Sequence, residues 1–323
     1  MAEHFWQNLP KPFLILAPME GVTDLVFRQV VAKAGAPDIF FTEFTNVSSY
    51  ASDLGRKNAL YRLQTTTTDH PIIAQIWGKN PEHFALLAKD LKSLNFQGID
   101  LNMGCPDRHV NRAGGGAAMI RTPDLAINCI KQAKLASELP VSVKTRLGYT
   151  SPDEYRTWLS TLLKQDLAAL TVHLRTRKEM SKVPAHFELI DDIIKLKNTI
   201  SPTTKLIING DIRDKSHAAE LFSAHPDIDG FMIGRGIFSN PFCFTTTEPT
   251  KPKLFDLLNY HLNLYDQAIK STGPRPFEPL KRFFKIYINH FPGASELRES
   301  LMHTKTTDEV RVILNSQTIS PYN

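Results

Sequence analysis

Ile99-Asp100-Leu101-Asn102-Met103-Gly104-Cys105-Pro106 is a short apolar run that breaks into an amide, a glycine, a thiol and a proline. That is the pattern of a buried strand delivering functional groups to a loop at its C-terminal end. Similar runs recur at 13–17, 39–42, 72–76, 98–101, 141–145, 169–172, 205–208 and 229–233. Helix-like intervals at 24–34, 81–94, 123–137, 153–165, 186–198 and 214–224 separate most of them. Asp24, Thr122-Pro123, Ser151-Pro152 and Asp214 are natural helix starts, because they cap orphan amides or preset the first turn. Eight strands alternating with helices predict a parallel sheet, and their number and the chain length fit a (β/α)8 TIM barrel. A doubly wound open sheet shares the same periodicity.

The polar residues tilt the choice toward the barrel. Pro18-Met19-Glu20 follows the first strand, Glu43 the second, Gln75 the third and Asn102 the fourth. Lys144 and Arg146 end the fifth, His173 ends the sixth, Asn209-Gly210-Asp211 follows the seventh and Gly234-Arg235 the eighth. In a barrel all of these converge on one face.

The 323 residues are 42% hydrophobic and 22% charged, as in a soluble globular protein, with a net charge of +5 that permits an anionic partner. Met1 to Pro12 lacks a basic region followed by a long apolar core, so no signal peptide is expected. Apolar runs fall far short of the roughly 20 residues of a membrane span. A soluble, cytoplasmic protein with no membrane contact follows as the expectation. Cys105, Cys129 and Cys243 are too few and too scattered for a disulfide framework or a structural zinc site, and no metal is expected. Cys129 and Cys243 read as core residues.

The interval Gly55 to Pro71, with its threonine run at 65–68, reads as a polar loop, and Thr245 to Lys253 as a linker. Beyond it the pattern is helical. Leu280, Phe283, Phe284, Tyr287, Ile288 and Phe291 fall on one face, with Lys281, Arg282 and Lys285 opposite. The expected organisation is a catalytic barrel over 1–245 and a small helical domain over 250–323. The latter carries ten Lys or Arg against seven Asp or Glu. Its basic face is either simply solvated or a surface for nucleic-acid phosphates.

Six segments stand in register along the chain: Ala17 to Asp24, Asp100 to Pro106, Val143 to Gly148, Val172 to Arg177, Ile208 to Ile212 and Met232 to Gly236. Together they resemble the tRNA-dihydrouridine synthases. The resemblance covers nearly the whole chain. It implies an FMN-containing barrel that reduces the C5=C6 bond of selected uridines in tRNA, with NADPH or NADH re-reducing the flavin. It also implies that Gln75 bonds the flavin ring, that Pro18, Met19 and Glu20 line the cofactor pocket mainly through backbone, and that Asn102 and Arg146 hold the uracil edge. After His173 many members carry glycine where Leu174 stands here, a tryptophan occurs near the position of Phe187, and 178–185 is unlike the commoner version.

The residue types suit that chemistry. Lys144, at a strand end, supplies the cation that a reduced flavin needs beside N1 and the C2 carbonyl; the plainer reading pairs it with a carboxylate. Asn209, Gly210, Asp211, Gly234 and Arg235 follow strands seven and eight, where barrels bind phosphate, and His173 adds a donor. Arg175 and Arg177 are candidates for cofactor or RNA phosphates, or else solvated charge. Cys105 reads as the general acid that protonates C5, with a structural thiol or a nucleophile as alternatives. Asn102 reads as a base-holding amide or a turn residue. The glycine-rich run at 113–118 is expected to make the Cys105 loop a mobile gate. An unstacked base must be accepted, so the tail with Lys281, Arg282 and Lys285 is the expected tRNA-binding element of a monomeric enzyme. Two other functions fit the sequence: a flavin barrel acting on a free pyrimidine, and a tRNA-binding protein without redox chemistry.

Overall fold

The computed structural model describes residues 4–318 apart from Pro274, so the outer ends of the expected 1–245 and 250–323 units lie outside the described residues. The strands are β1 (Phe13–Leu16), β2 (Phe40–Phe41), β3 (Thr45–Asn46), β4 (Ile72–Trp77), β5 (Gly98–Met103), β6 (Val141–Arg146), β7 (Ala169–His173), β8 (Lys205–Asn209) and β9 (Gly230–Ile233). All pair in parallel, in the order β1-β9-β8-β7-β6-β5-β4-β2. A parallel bridge between Ile15 and Ile39 joins the two ends of that row. This closure removes the open-sheet alternative.

β2 and β3 both pair with β4 and act as one stave, so nine short strands make eight positions around the barrel. The break between them falls at 42–44. Thr42 bridges it, its hydroxyl accepting from the Gln75 backbone N–H at 3.1 Å. β5 is buried along its whole length, as a stave covered on both faces must be.

Helices follow the strands as the pattern predicts: α1 (Leu25–Gly35), α4 (Pro81–Leu91), α6 (Pro123–Ala136), α7 (Tyr155–Leu163), α8 (Ile190–Ile200) and α9 (Lys215–Ala224). Asp24 caps α1 by accepting from Phe27 N at 2.8 Å, and Asp214 caps α9 by accepting from His217 N at 2.9 Å. The expected loop from Gly55 is instead helical at its start. Two helices, α2 (Val47–Ala51) and α3 (Asp53–Arg62), precede the threonine run. In α3 only Ala59 is buried, so the segment lacks the apolar stripe by which a helix announces itself.

Short helices α5 (Arg108–Arg112) and α10 (Gly236–Ser239) sit at the barrel mouth. The tail comprises α11 (Lys251–Thr272), α12 (Glu278–Lys281), α13 (Phe284–Tyr287), α14 (Ala294–Met302) and α15 (Thr307–Thr318). The apolar set predicted for its central helix is buried at Leu280, Phe283, Phe284, Tyr287 and Ile288, but that helix is split into α12 and α13. Phe283 N bonds Leu280 O and Ile286 N bonds Phe283 O, the tighter three-residue pattern. The tighter winding sends Lys281 inward as well. Phe283 of the tail packs on Phe27 of α1 with ring centres 4.8 Å apart, and both belong to one continuous apolar cluster.

Candidate functional site

Side chains alternate along a strand, so residues two apart point the same way. Asp100 and Asn102 on β5 therefore share a side, as do Ser142, Lys144 and Arg146 on β6. Register sets Asp100 beside both Gln75 and Ser142, and Asn102 beside Lys144. The outcome is a buried polar chain below the barrel mouth. Gln75 donates Nε2 to Asp100 at 2.7 Å, and Asn102 donates Nδ2 to the Gln75 carbonyl oxygen at 2.9 Å. Ser142 donates to the other Asp100 oxygen at 2.7 Å. Burial pushes the Asp100 carboxyl up to about 6 despite these donors.

Above this floor lies a cleft of about 600 Å³. It is lined by Pro18 and Met19 after β1, Gln75, Asn102, Cys105, Lys144, Arg146, His173, Asn209, Gly210, Asp211, Gly234 and Arg235. Every one of these sits in the C-terminal half of a strand or just beyond it, toward the functional face of such barrels. A second cavity of about 640 Å³ adjoins it, lined among others by Glu20, Phe44, Asn58, Arg62, Trp77 and Cys105. Phe44 and Cys105 belong to both walls.

Asn102 builds the turn that presents the thiol. Its side-chain oxygen accepts from Cys105 N at 2.9 Å and from Gly104 N at 3.2 Å. Cys105 is half-buried, and burial raises its thiol above the ordinary cysteine range. Lys144 donates from Nζ to Asn209 Oδ1 at 3.0 Å, which leaves two of its three ammonium donors without a side-chain partner in that bond. Burial, followed by the nearby Arg146 charge, lowers it to about 8. His173 is held well below its ordinary value by burial and by the surrounding cations, so its imidazole is neutral.

Residues 15–320 match the sequence profile described as Dihydrouridine synthase (Dus). The chain belongs to the dihydrouridine synthase family. It is 52% identical over 317 residues to a Bacillus subtilis (strain 168) protein named "Probable tRNA-dihydrouridine synthase 2", covering 98% of this chain and 97% of that one. A Staphylococcus aureus (strain Mu50) relative, "Probable tRNA-dihydrouridine synthase", is 51% identical over 98% of this chain and 96% of its own. A Staphylococcus epidermidis relative of the same name is 50% identical over 98% and 97%. A solved structure described as a variant of NCR from Zymomonas mobilis covers 87% of this chain and 92% of its own at 15% identity and a TM-score of 0.49. That likeness is too loose to speak to function.

In this dihydrouridine synthase several expected site residues have employment of their own. Arg146 donates Nε to the Gly104 carbonyl at 2.8 Å and Nη1 to the carbonyls of Thr176 and Met180 at 3.0 and 2.9 Å. It thereby ties the Cys105 loop to the loop after β7. Arg175 is neither a free phosphate contact nor solvated charge. It is 2% exposed, pairs with Asp211, and donates Nε to the Val183 carbonyl at 2.6 Å. Asp211 also accepts from Arg235 at 2.8 Å, so the phosphate-type segments after β8 and β9 are linked through it.

Glu20 lines the second cavity rather than the main cleft, drawn there by an ion pair to Arg62 at 2.6 Å. Arg62 also lies 3.6 Å from the buried Glu43, whose carboxyl burial and the neighbouring acids Asp24 and Glu20 raise to about 7. Lys281, expected on a solvated face, is buried and paired with Glu278 at 2.7 Å. Arg282 donates to the Gly21 carbonyl at 2.7 Å, and Lys285 lies 4.8 Å from the Phe238 ring centre. Arg177 stands outside the main cleft.

The glycine run packs closely on the Cys105 turn. Gly116 has φ +59, and a Cβ there would meet Cys105 O at 2.8 Å and Val110 Cγ1 at 2.7 Å. Ala117 N donates to Cys105 O at 3.0 Å. These residues let the backbone pack close beneath the thiol. Asp100 and Ser142 are the parts of the site that the sequence reading passed over. The parity of Asp100 with Asn102, and of Ser142 with Lys144, was the signal that could have found them.

Proposed function

We propose that the protein reduces the C5=C6 bond of uridines in tRNA, using FMN held in the main cleft and NADPH or NADH as reductant. The observation that carries this reading is Cys105, a half-buried thiol on the wall shared by two adjoining cavities. A cofactor seated in one cavity leaves the thiol reachable by a base from the other.

The residues fit a flavin mononucleotide. Lys144 offers uncommitted ammonium donors to an electron-rich ring edge. At Gly234 a Cβ would touch only Ala17 Cβ at 3.4 Å and Met19 Sδ at 3.8 Å, ordinary contacts, so bare backbone faces the cleft where protein packing does not require it. Asn209, Gly210, Asp211, Gly234, Arg235 and neutral His173 would hold the phosphate end; Pro18, Met19 and Gln75 would line the ring. When bound and reduced, the flavin supplies the hydride that adds to uracil C6.

Cys105 provides the matching proton at C5. Its raised thiol is protonated at neutral pH, and the charges of Arg146 and Lys144 favour the thiolate left behind. Asn102 aims the thiol by holding its backbone amide, and Arg146 acts as a positioning residue through the Gly104 carbonyl. The tail contributes to tRNA binding through its exposed Arg282 and Lys285, with Lys281 withdrawn into the core.

Cys105→Ala is expected to retain the FMN spectrum and tRNA binding while losing dihydrouridine formation by roughly 10²–10⁴-fold. Turnover at the wild-type rate removes Cys105 as the acid. For the wild-type enzyme, the rate of the proton-transfer step falls as pH rises through the raised thiol value, since the thiolate cannot donate. Mapping dihydrouridine in tRNA from cells with and without the gene tests the activity itself.

A further inference from the structure

A second basic feature lies outside the main cleft, on the rim formed by the loops after β5, β6 and β7. Arg108, Asn111 and Arg112 of α5 line a cavity of about 310 Å³ together with Tyr149 and Arg177. The Tyr149 ring carries two guanidinium groups, with Arg121 at 5.2 Å and Arg177 at 5.4 Å from its centre. Among the described residues no ion pair joins any of these four arginines to a carboxylate, and Arg177 Nε is buried without a partner.

The carboxylates of the neighbourhood are committed elsewhere. Glu154 accepts from Tyr149 N at 2.7 Å and from Ser151 N at 2.9 Å. Glu179 accepts from Thr176 N at 2.7 Å and pairs with His186 at 3.0 Å. Asp107 caps α5, accepting from His109 N at 2.8 Å. Four like charges with no ion pair among the described residues repel one another, and an anion placed among them relieves that repulsion. Guanidinium groups stacked on an aromatic ring keep their planar fork ordered for phosphate oxygens.

We propose that this rim is a phosphate-binding subsite for the RNA strand flanking the target uridine; the inference rests on the tRNA reading above. Four guanidinium groups spread over several loops suit successive phosphates of a strand, more than the single extra phosphate of a nicotinamide dinucleotide. The position is also right for registering the base. Asn111 donates Nδ2 to the Cys105 carbonyl at 2.8 Å and to the Asp107 carbonyl at 2.7 Å. The helix that presents Arg108 and Arg112 therefore braces the turn that carries the thiol.

The test compares wild-type holoenzyme with R108E/R112E and the charge-keeping R108K/R112K, measuring tRNA affinity over a salt series and the tRNA KM and kcat. The reversal is expected to flatten the dependence of log affinity on log salt by about one unit, in line with the loss of one or two phosphate contacts. It also raises the tRNA KM about tenfold with a far smaller change in kcat, while the lysine variant keeps the wild-type slope. The FMN absorbance of each variant reports that it is folded, and Arg108→Gln alone serves if the double reversal does not fold. A wild-type slope and KM in the reversed variant overturns the subsite. A raised KM for NADPH in flavin reduction, with tRNA binding unaltered, overturns it too and assigns the patch to the reductant. The two readings fail separately: absence of dihydrouridine from wild-type reactions refutes the activity, whereas the salt slope reads the subsite alone.

Discussion

The helical tail and the rim around α5 are both basic, and the structure uses their charges in opposite ways. In the tail, Lys281 is paired with Glu278, Arg282 with the Gly21 carbonyl, Arg298 with the Ile288 carbonyl at 2.6 Å and Arg311 with Asp266 at 2.6 Å. On the rim, Arg108 and Arg112 have no ion pair or side-chain hydrogen bond among the described residues, and Arg121 and Arg177 are held by the Tyr149 ring alone. A held cation contributes chiefly to the fold, and an unheld one is left wholly for a ligand. The number of lysines and arginines in a segment does not separate the two cases. Their partners do.

The extreme held cation is Arg28, on the helix against which the tail packs. It is 1% exposed, pairs with the fully buried Asp69 at 2.8 Å, and donates to the carbonyls of Thr23 and Gln64 at 2.9 and 2.6 Å. Asp69→Ala leaves that charge buried without its counter-ion, and is expected to cost about 3–5 kcal/mol in urea unfolding. A loss below about 1 kcal/mol would mean that burial and pairing do not define the held class.

Lys144 sharpens the contrast from the other side, as a cation kept in the barrel at a cost to stability. With its folded value near 8 and an unfolded value near 10.4, the unfolded chain binds more protons between those limits. Flavin-free protein therefore gains stability from this group as pH rises from about 8 to 10.4, and bears the full penalty below 8. Lys144→Met is expected to stabilise the flavin-free protein by roughly 1–2 kcal/mol at pH 7, the gain vanishing near pH 10.4, while weakening flavin binding or reactivity. Part of the gain is offset because Asp100 loses a neighbouring cation. Destabilisation of the flavin-free protein, together with an unchanged flavin spectrum and reduction rate, would make Lys144 a structural residue.

This division explains how far the sequence could be read. Strand positions, six helices and the convergence of Gln75, Asn102, Lys144 and His173 on one face were legible, because alternation along strands and polar residues at their ends are local signals. The employment of Arg146 was not. Its three carbonyl partners lie 42, 30 and 34 residues away in the chain, and nothing local announces them. Arg175 escaped for the same reason, since Asp211 lies 36 residues away, whereas Lys281, whose partner Glu278 is three residues off, was hidden by the tighter winding that turns it inward. Helix α3 was missed because it buries a single side chain.

The smallest expected effect separates the two basic regions most directly. Lys285 is exposed, and its structural contact is the Phe238 ring, with the ammonium 4.8 Å from the ring centre. An exposed cation–π contact is worth about 0.5–1 kcal/mol, so Lys285→Gln is expected to lower stability by no more than that. If tail cations are chiefly held, the same variant changes the salt dependence of tRNA binding less than R108E/R112E does. Both variants are to be measured in one salt series. An equal or larger change at Lys285 breaks the distinction, because a residue with a protein partner would then be contributing as much to the RNA backbone as residues with none.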